Sequence, residues 1–119
     1  MNIVKQILVL LGLLVASTSY AADKTAAFEL VFVTSDHCPF CMAWEKEVGR
    51  SYDRSPYAKQ APLRRVDLQE IDTLLPDLKP KVIGTPTFLI MDEKIEIGRI
   101  QGFSSSEMFY WALSEYITP

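Results

Sequence analysis

Apolar residues fall along this chain in blocks whose period changes. Residues 28–34, Phe-Glu-Leu-Val-Phe-Val-Thr, are nearly continuous in apolar and β-branched side chains, the pattern of a strand covered on both faces. A helical period follows: Cys41, Trp44, Val48 and Tyr52 recur at three- and four-residue spacing. That spacing predicts a helix from Pro39 to about Arg54, stopping before Pro56, with the stripe turned to a sheet. On this reading Trp44 is core rather than a substrate platform. Leu63 to Leu68 is shorter and alternates, as a strand near a sheet edge does. Between Glu70 and Lys79 the helical pattern is weak, and Pro76 inside it predicts a kink or an early end.

The next apolar block, Phe88-Leu89-Ile90, is preceded by Gly84-Thr85-Pro86-Thr87. Proline cannot donate to a sheet ladder, so Pro86 belongs where the strand begins, and a cis bond there would be a retained, costly feature. Asp92-Glu93-Lys94 turns the chain into Ile95 to Ile100, whose strict alternation predicts a half-exposed antiparallel strand. Ser104-Ser105-Ser106-Glu107 reads as a capping box opening a last helix, Ser105 to about Ile117. Met108, Trp111, Ala112 and Tyr116 can form its sheet-facing stripe, with Trp111 structural. The order is β-α-β-α-β-β-α without linker or repeat, and right-handed crossovers place the first three strands parallel.

Ahead of this α/β region lies a different pattern. Lys5 precedes the uninterrupted apolar run from Ile7 to Val15, and Ser19-Tyr20-Ala21 supplies small residues at two positions that a signal peptidase reads. Residues 1–21 are therefore expected to be a cleaved export signal. The alternative is an uncleaved membrane anchor, although the run is short for a span, which needs roughly 20 residues. Residues 22–119 suffice for one small domain with a single core. Of the 12 basic residues one is Lys5, against 15 acidic. With no basic stripe or cluster, nucleic acid is not an expected partner.

Cys38 and Cys41 are the only two cysteines. In an exported protein a pair usually staples the fold, but a staple gains from closing a long loop, and this bridge closes almost nothing. The pair lies where a strand turns into a helix, with Pro39 at the first helical position, where its missing N–H costs nothing. Residues three apart share a helix face, so the sulfurs can meet. The first sulfur lies over the unpaired N–H groups of the helix start, which favour thiolate. His37, the single histidine, either helps hold that thiolate when protonated or is a solvent-exposed loop residue. His37, Cys38 and Cys41 make a poor metal site, since adjacent ligands strain tetrahedral geometry and no fourth is evident.

A C-x-x-C at the first strand-to-helix turn, followed by Thr-Pro at the third strand, resembles the thioredoxin superfamily across Phe28 to Ile117. The resemblance implies a thioredoxin-like three-layer sandwich around a central four-stranded mixed sheet. It implies that Cys38 is the exposed nucleophile, that Cys41 resolves the mixed disulfide, and that Pro86 is cis and lies against the cysteines. Thr85 and Pro86 would then shape a groove in which an extended peptide pairs as an added strand. Phe40, between the cysteines, and Phe103, after the last strand, are either apolar contacts near the thiol or ordinary surface aromatics. The sequence also departs from the family. Where cytosolic thioredoxins carry a buried aspartate it has Phe32, and between the cysteines it has Pro39-Phe40 rather than Gly-Pro. Glu45, one turn beyond Cys41, either takes up the missing acid's role through water or is a solvated helix carboxylate. Thr85 matches the periplasmic disulfide isomerases. Pro-Phe is glutaredoxin-like, but Gln101-Gly102-Phe103 replaces the glutaredoxin Gly-Gly turn. The nearest likeness is to the small exported thioredoxin-like proteins associated with bacterial sulfur oxidation (the SoxS type).

The expectation is thus a periplasmic thiol–disulfide oxidoreductase with no cofactor beyond its own Cys38–Cys41 disulfide. Its partners would be proteins with reactive cysteines or disulfides. The resemblance implies a reductase, which in an oxidising compartment needs a membrane thiol as electron donor. After signal cleavage it would have no stable membrane insertion. The alternatives are an oxidase that donates its disulfide, and a non-catalytic redox-sensing or binding module.

Overall fold

The computed structural model describes residues 26–119, so the expected export signal lies outside the described residues. Strand β1 (Glu29–Thr34) leads into helix α1 (Pro39–Trp44). Strand β2 (Leu63–Asp67), helix α2 (Ile71–Leu74), strands β3 (Thr87–Asp92) and β4 (Ile95–Gln101), and helix α3 (Ser106–Ser114) follow. Among the described residues the strands form one mixed sheet in the order β2-β1-β3-β4. The β-α-β-α-β-β-α order holds, and β2 lies at an edge as its alternation predicts.

One expectation of direction is wrong. β2 runs parallel to β1, but β3 runs antiparallel to it, with Val33 opposite Thr87 and Glu29 opposite Met91. A parallel β3 needs a crossover that carries the chain back along a strand's length, about 17 Å for five or six residues. α2 has four residues, a rise of about 6 Å. Pro76 does bring the early end foreseen for this helix, and the remaining connection folds back over the sheet. Leu78 and Val82 are buried there with Ile71 against Val31, Val33, Val66, Leu89 and Met91. β3 therefore starts at the end where β1 and β2 finish.

The opposite face carries the second core, where Leu30, Phe32, Phe88 and Ile90 meet Trp44, Val48 and Tyr52, and Phe109, Leu113 and Ile117. Trp44 is fully buried, its ring 4.5 Å from Phe32, 5.0 Å from Phe88 and 5.6 Å from Phe109. The helix after Pro39 is shorter than predicted. Beyond Trp44 it widens into a turn over Glu45–Gly49, where the Arg50 N–H donates to Glu45 O, and Tyr52–Arg54 forms a tight 3₁₀ turn. The widening has a geometric use. Trp44, Val48 and Tyr52 span two turns with eight residues, whereas an α-helix needs 7.2. One extra residue in a widened turn takes up the excess and keeps the stripe on the sheet.

The last helix is phased differently from the expected stripe. Ser105, not Ser104, is the cap, accepting from the Met108 N–H at 3.2 Å. The buried positions are Phe109, Leu113 and Ile117, whereas Trp111 is 61% and Met108 52% exposed. Apolar residues run around most of this helix, so period alone does not set its phase. Phe109 takes the place beside Trp44 and Phe88 in the core, with ring centroids 5.6 and 4.8 Å away. The Tyr116 ring lies across Gly98 of β4, where an added Cβ would stand 2.5 Å from it.

Trp44→Ala is expected to cost about 3–5 kcal/mol in urea unfolding, whereas Trp111→Ala costs less than about 0.5 kcal/mol. A loss at Trp111 as large as that at Trp44 would restore the expected stripe of the last helix. Burial holds the Tyr52 phenol above its ordinary pKa, with its O–H donating to Ala61 O at 2.6 Å. A raised phenol pKa means the folded state keeps a proton that the unfolded state loses above pH ~10. Stability is therefore expected to fall as pH rises past ~10, and Tyr52→Phe to flatten that limb of an unfolding profile.

Candidate redox site

β1 delivers the chain to Ser35, Asp36 and His37. His37 has φ 58°, a left-handed geometry that histidine tolerates better than most side chains. The reversal sets Cys38 as the N-cap of α1, with extended backbone, and Pro39 at the first turn. Cys38 and Cys41 are joined by a disulfide, with Cα atoms 5.2 Å apart, inside the usual span. The Cys41 N–H donates to Cys38 Sγ at 3.2 Å. In the dithiol state that N–H is placed to hold negative charge on the same sulfur.

The sulfurs are more covered than the resemblance implies. Cys38 is 7% and Cys41 3% exposed, because Cys38 Sγ turns back over the helix start to meet its partner. What stands out is their surroundings: Phe40 is 61% and Met42 69% exposed, and His37 and Pro39 are exposed beside them. Beneath the pair the sequence reading holds. Phe32, at the position of the missing acid, is fully buried and stacked 5.1 Å from Phe88. Glu45 lines a recess with Thr34, Ser35 and Cys41, but its two carboxylate oxygens are taken by Arg65, at 2.6 and 2.9 Å. This bidentate pair, which raises the Arg65 pKa through the Glu45 hydrogen bond, fits the structural role rather than the proton-accepting one.

One hydrogen bond ties the cis-proline loop to this turn, and two more fix the loop itself. The Thr85–Pro86 bond is cis, and Pro86 is buried at the start of β3. Ser35 and Thr85 hydroxyls hydrogen-bond at 2.6 Å, joining the loop that carries the cysteines to the residue before the proline. Thr87 donates from Oγ1 to Gly84 O at 2.7 Å, and the Gly102 N–H donates to Pro86 O at 2.9 Å. Gly102 has φ 80°, which glycine adopts without strain. Phe103 is half-buried against the cluster that contains both cysteines.

The structure thus brings Thr85 and Pro86 up to the loop that holds Cys38. Sequence reading missed Ser35, fifty residues from its partner, for which a single sequence carries no signal. It missed Ile83 too, 91% exposed two residues before Thr85. The signal there was an apolar residue pressed between Val82 and Gly84 with no strand or helix to bury it. A second cis bond, Lys79–Pro80, was equally unread. Arg99 holds that connection by donating from Nη2 to Pro80 O at 2.7 Å while it pairs with Glu96.

Among the described residues, no group of three or more His, Cys, Asp or Glu side chains is placed to hold a metal ion. No helix among them is long and apolar enough to cross a membrane. For the Ser35–Thr85 bond, a double-mutant cycle with Ser35→Ala and Thr85→Ala is expected to give a coupling of about 1 kcal/mol, read by denaturant unfolding. Additive losses would mean the two hydroxyls do not act together.

No protein-family model matches the chain, and no curated protein matches it. Among solved structures it is similar to the reduced periplasmic thioredoxin SoxS from Paracoccus pantotrophus, with 24% identity and a TM-score of 0.64 over 74% of this chain and 93% of that one. It is similar also to a mutant thioredoxin from Halobacterium salinarum (18% identity, TM-score 0.59, 79% and 80% covered). A third is thioredoxin NaTrxh from Nicotiana alata (20% identity, TM-score 0.57, 76% and 75% covered). Likeness at these identities speaks for architecture, and residues 26–119 have the thioredoxin fold, with a disulfide at the first strand-to-helix turn and a cis proline in the loop bonded to it.

Proposed function

We propose that this protein is an exported thiol–disulfide oxidoreductase that reduces disulfides in partner proteins. The observation that carries the reading is the disulfide itself. It closes a loop too short to stabilise the fold appreciably, and a backbone N–H is aimed at Cys38 Sγ at 3.2 Å. In the reduced protein the Cys38 thiolate attacks one sulfur of a substrate disulfide, forming a mixed disulfide and releasing the other sulfur as thiolate. Cys41, having given its proton to solvent, attacks Cys38 Sγ and releases the second substrate sulfur. Two electrons pass to the substrate, and the Cys38–Cys41 disulfide remains. A dithiol donor on the membrane regenerates the pair by the same exchange. The only redox group required is the sulfur pair.

Thr85 and Pro86 shape the groove in which substrate backbone pairs, with Phe40 as an apolar contact and His37 and Pro39 tuning the nucleophile. Residues 1–21 act as the export signal. Likeness to a thioredoxin described as periplasmic supports that location, and with it the need for a membrane donor.

Cys41→Ala is expected to accumulate mixed disulfides with specific partners, seen on non-reducing gels, and Cys38→Ala to accumulate none. Wild-type protein is expected to reduce insulin with dithiothreitol as electron source. No trapped partner together with no insulin reduction would remove the enzymatic reading. Direction follows from equilibration against glutathione: a reductase is expected near or below about −220 mV, whereas a value around −120 mV marks a disulfide donor.

A further inference from the structure

Arg65 stands beside Phe32 in the parallel pairing of β1 and β2, so its side chain leaves the sheet on the face that carries α1. There it meets Glu45, donating from Nε at 2.6 Å and from Nη2 at 2.9 Å to the two carboxylate oxygens. Glu45 follows Cys41 by one helical turn, its N–H donating to Cys41 O, and residues so spaced share a helix face. Both line a recess of about 280 Å³. Thr34 and Ser35 add hydroxyls to that recess, Lys46 and Arg50 add cations, and Glu45 is the one acid in its lining. Of the other charged groups nearby, Asp53 acts on Arg65 and His37 is exposed on the far side of Cys38. Arg65 therefore lies next to the position where an acid is missing, and the acid it holds belongs to a different element.

We propose that Arg65 is a positioning residue for the resolving step: by gripping both oxygens of Glu45 it cancels the negative charge beside Cys41 and lets that thiol ionise. The inference rests on the oxidoreductase reading. In the mixed disulfide, Cys41 gives its proton to water in the recess, and its sulfur then bonds to Cys38 Sγ. The bond from Cys38 Sγ to the substrate sulfur breaks, and the substrate leaves as thiolate with that electron pair. A bare carboxylate one turn away opposes the first of these events, because a like charge disfavours a second anion beside it. The guanidinium removes the opposition without touching a reacting atom. Its planar fork fixes both oxygens at once, so Glu45 is held on Arg65 rather than left to face the sulfur. With that pair neutral, Lys46 and Arg50 leave the recess positive on balance, which favours thiolate. The chain thus does without a proton-accepting acid by keeping its acid neutralised.

The test follows thionitrobenzoate release when the reduced full chain meets dithiobis-nitrobenzoate. A first release, by Cys38, depends on reagent concentration; a second, by Cys41, is unimolecular and reads the resolving step alone. Arg65→Gln is expected to slow the second release about threefold at pH 7 and to move its half-maximal pH up by about half a unit. The sign follows from ionisation. A thiol made less acidic reaches the same thiolate fraction at higher pH, so variant and wild type draw together as pH rises past ~9. Glu45→Gln is expected to run at or above the wild-type rate, and Arg65→Gln combined with Glu45→Gln to return to it. Equal second-release rates in wild type and Arg65→Gln would overturn the proposal, as would a double variant as slow as Arg65→Gln. A loss of the same size at every pH would overturn it too, because it marks displaced structure rather than charge. Slowing in Glu45→Gln alone would make Glu45 the proton acceptor and refute the neutralising role. A wild-type chain that releases no thionitrobenzoate would instead sink the oxidoreductase reading.

Discussion

The packing of Trp44 against Phe32, Phe88 and Phe109 is the contact on which the redox turn depends. It presses α1 onto the sheet one turn beyond Cys41, and so fixes where the helix begins. With that start fixed, Cys38 becomes the cap, Pro39 fits the first turn, and the Cys41 N–H is aimed at Cys38 Sγ. The same rings make the floor beneath the sulfurs apolar. A carboxylate at position 32 would have to share that floor with three aromatic rings. The chain instead keeps Glu45, which lines the recess beside Cys41, towards the surface and pairs it with Arg65 on β2. The chemistry above the floor is therefore set by backbone N–H groups rather than by a buried charge.

What the sequence made legible follows from how local each signal is. The cysteine turn, the stripe of α1 and the early end at Pro76 are written in neighbouring residues, and the structure has each of them. The phase of α3 was not legible. Met108, Trp111 and Tyr116 offer as good an apolar stripe as Phe109, Leu113 and Ile117, and the choice is made by the packing of Phe109 against Trp44 and Phe88, which lie far away in the sequence. The direction of β3 was misread for a related reason. Alternating strands and helices imply parallel crossovers only when the helix is long enough to span the sheet, and four residues are not. Within the site, Cys38, Cys41 and Pro86 could be placed from motifs alone. The Ser35–Thr85 bond could not, because a hydrogen bond between two loops leaves no pattern in either.

The two cores divide the labour. Aromatic rings and the two helices on one face hold the cysteines. On the other face, small aliphatic residues and the folded-back connection from β2 to β3 deliver Thr85 and Pro86 to the same end of the sheet. Each half of the site is thus anchored to a different layer. The hydroxyl pair of Ser35 and Thr85 joins the two halves directly, while the Gly102–Pro86 backbone bond ties the proline to the end of β4.

β4 lies at the edge of the sheet, and its pairing slips by one residue between Ile90 and Met91, leaving Ile97 without a partner on β3. The slip turns Glu96 and Arg99 to the same side, where they pair while Arg99 also donates to Pro80 O. An edge kinked in this way is a poor template for a neighbouring molecule to zip against. Any protein with a straight, unpaired sheet border is exposed to such zipping. Distortion in β4 therefore discourages sticking along that border and favours a chain that stays apart from its copies.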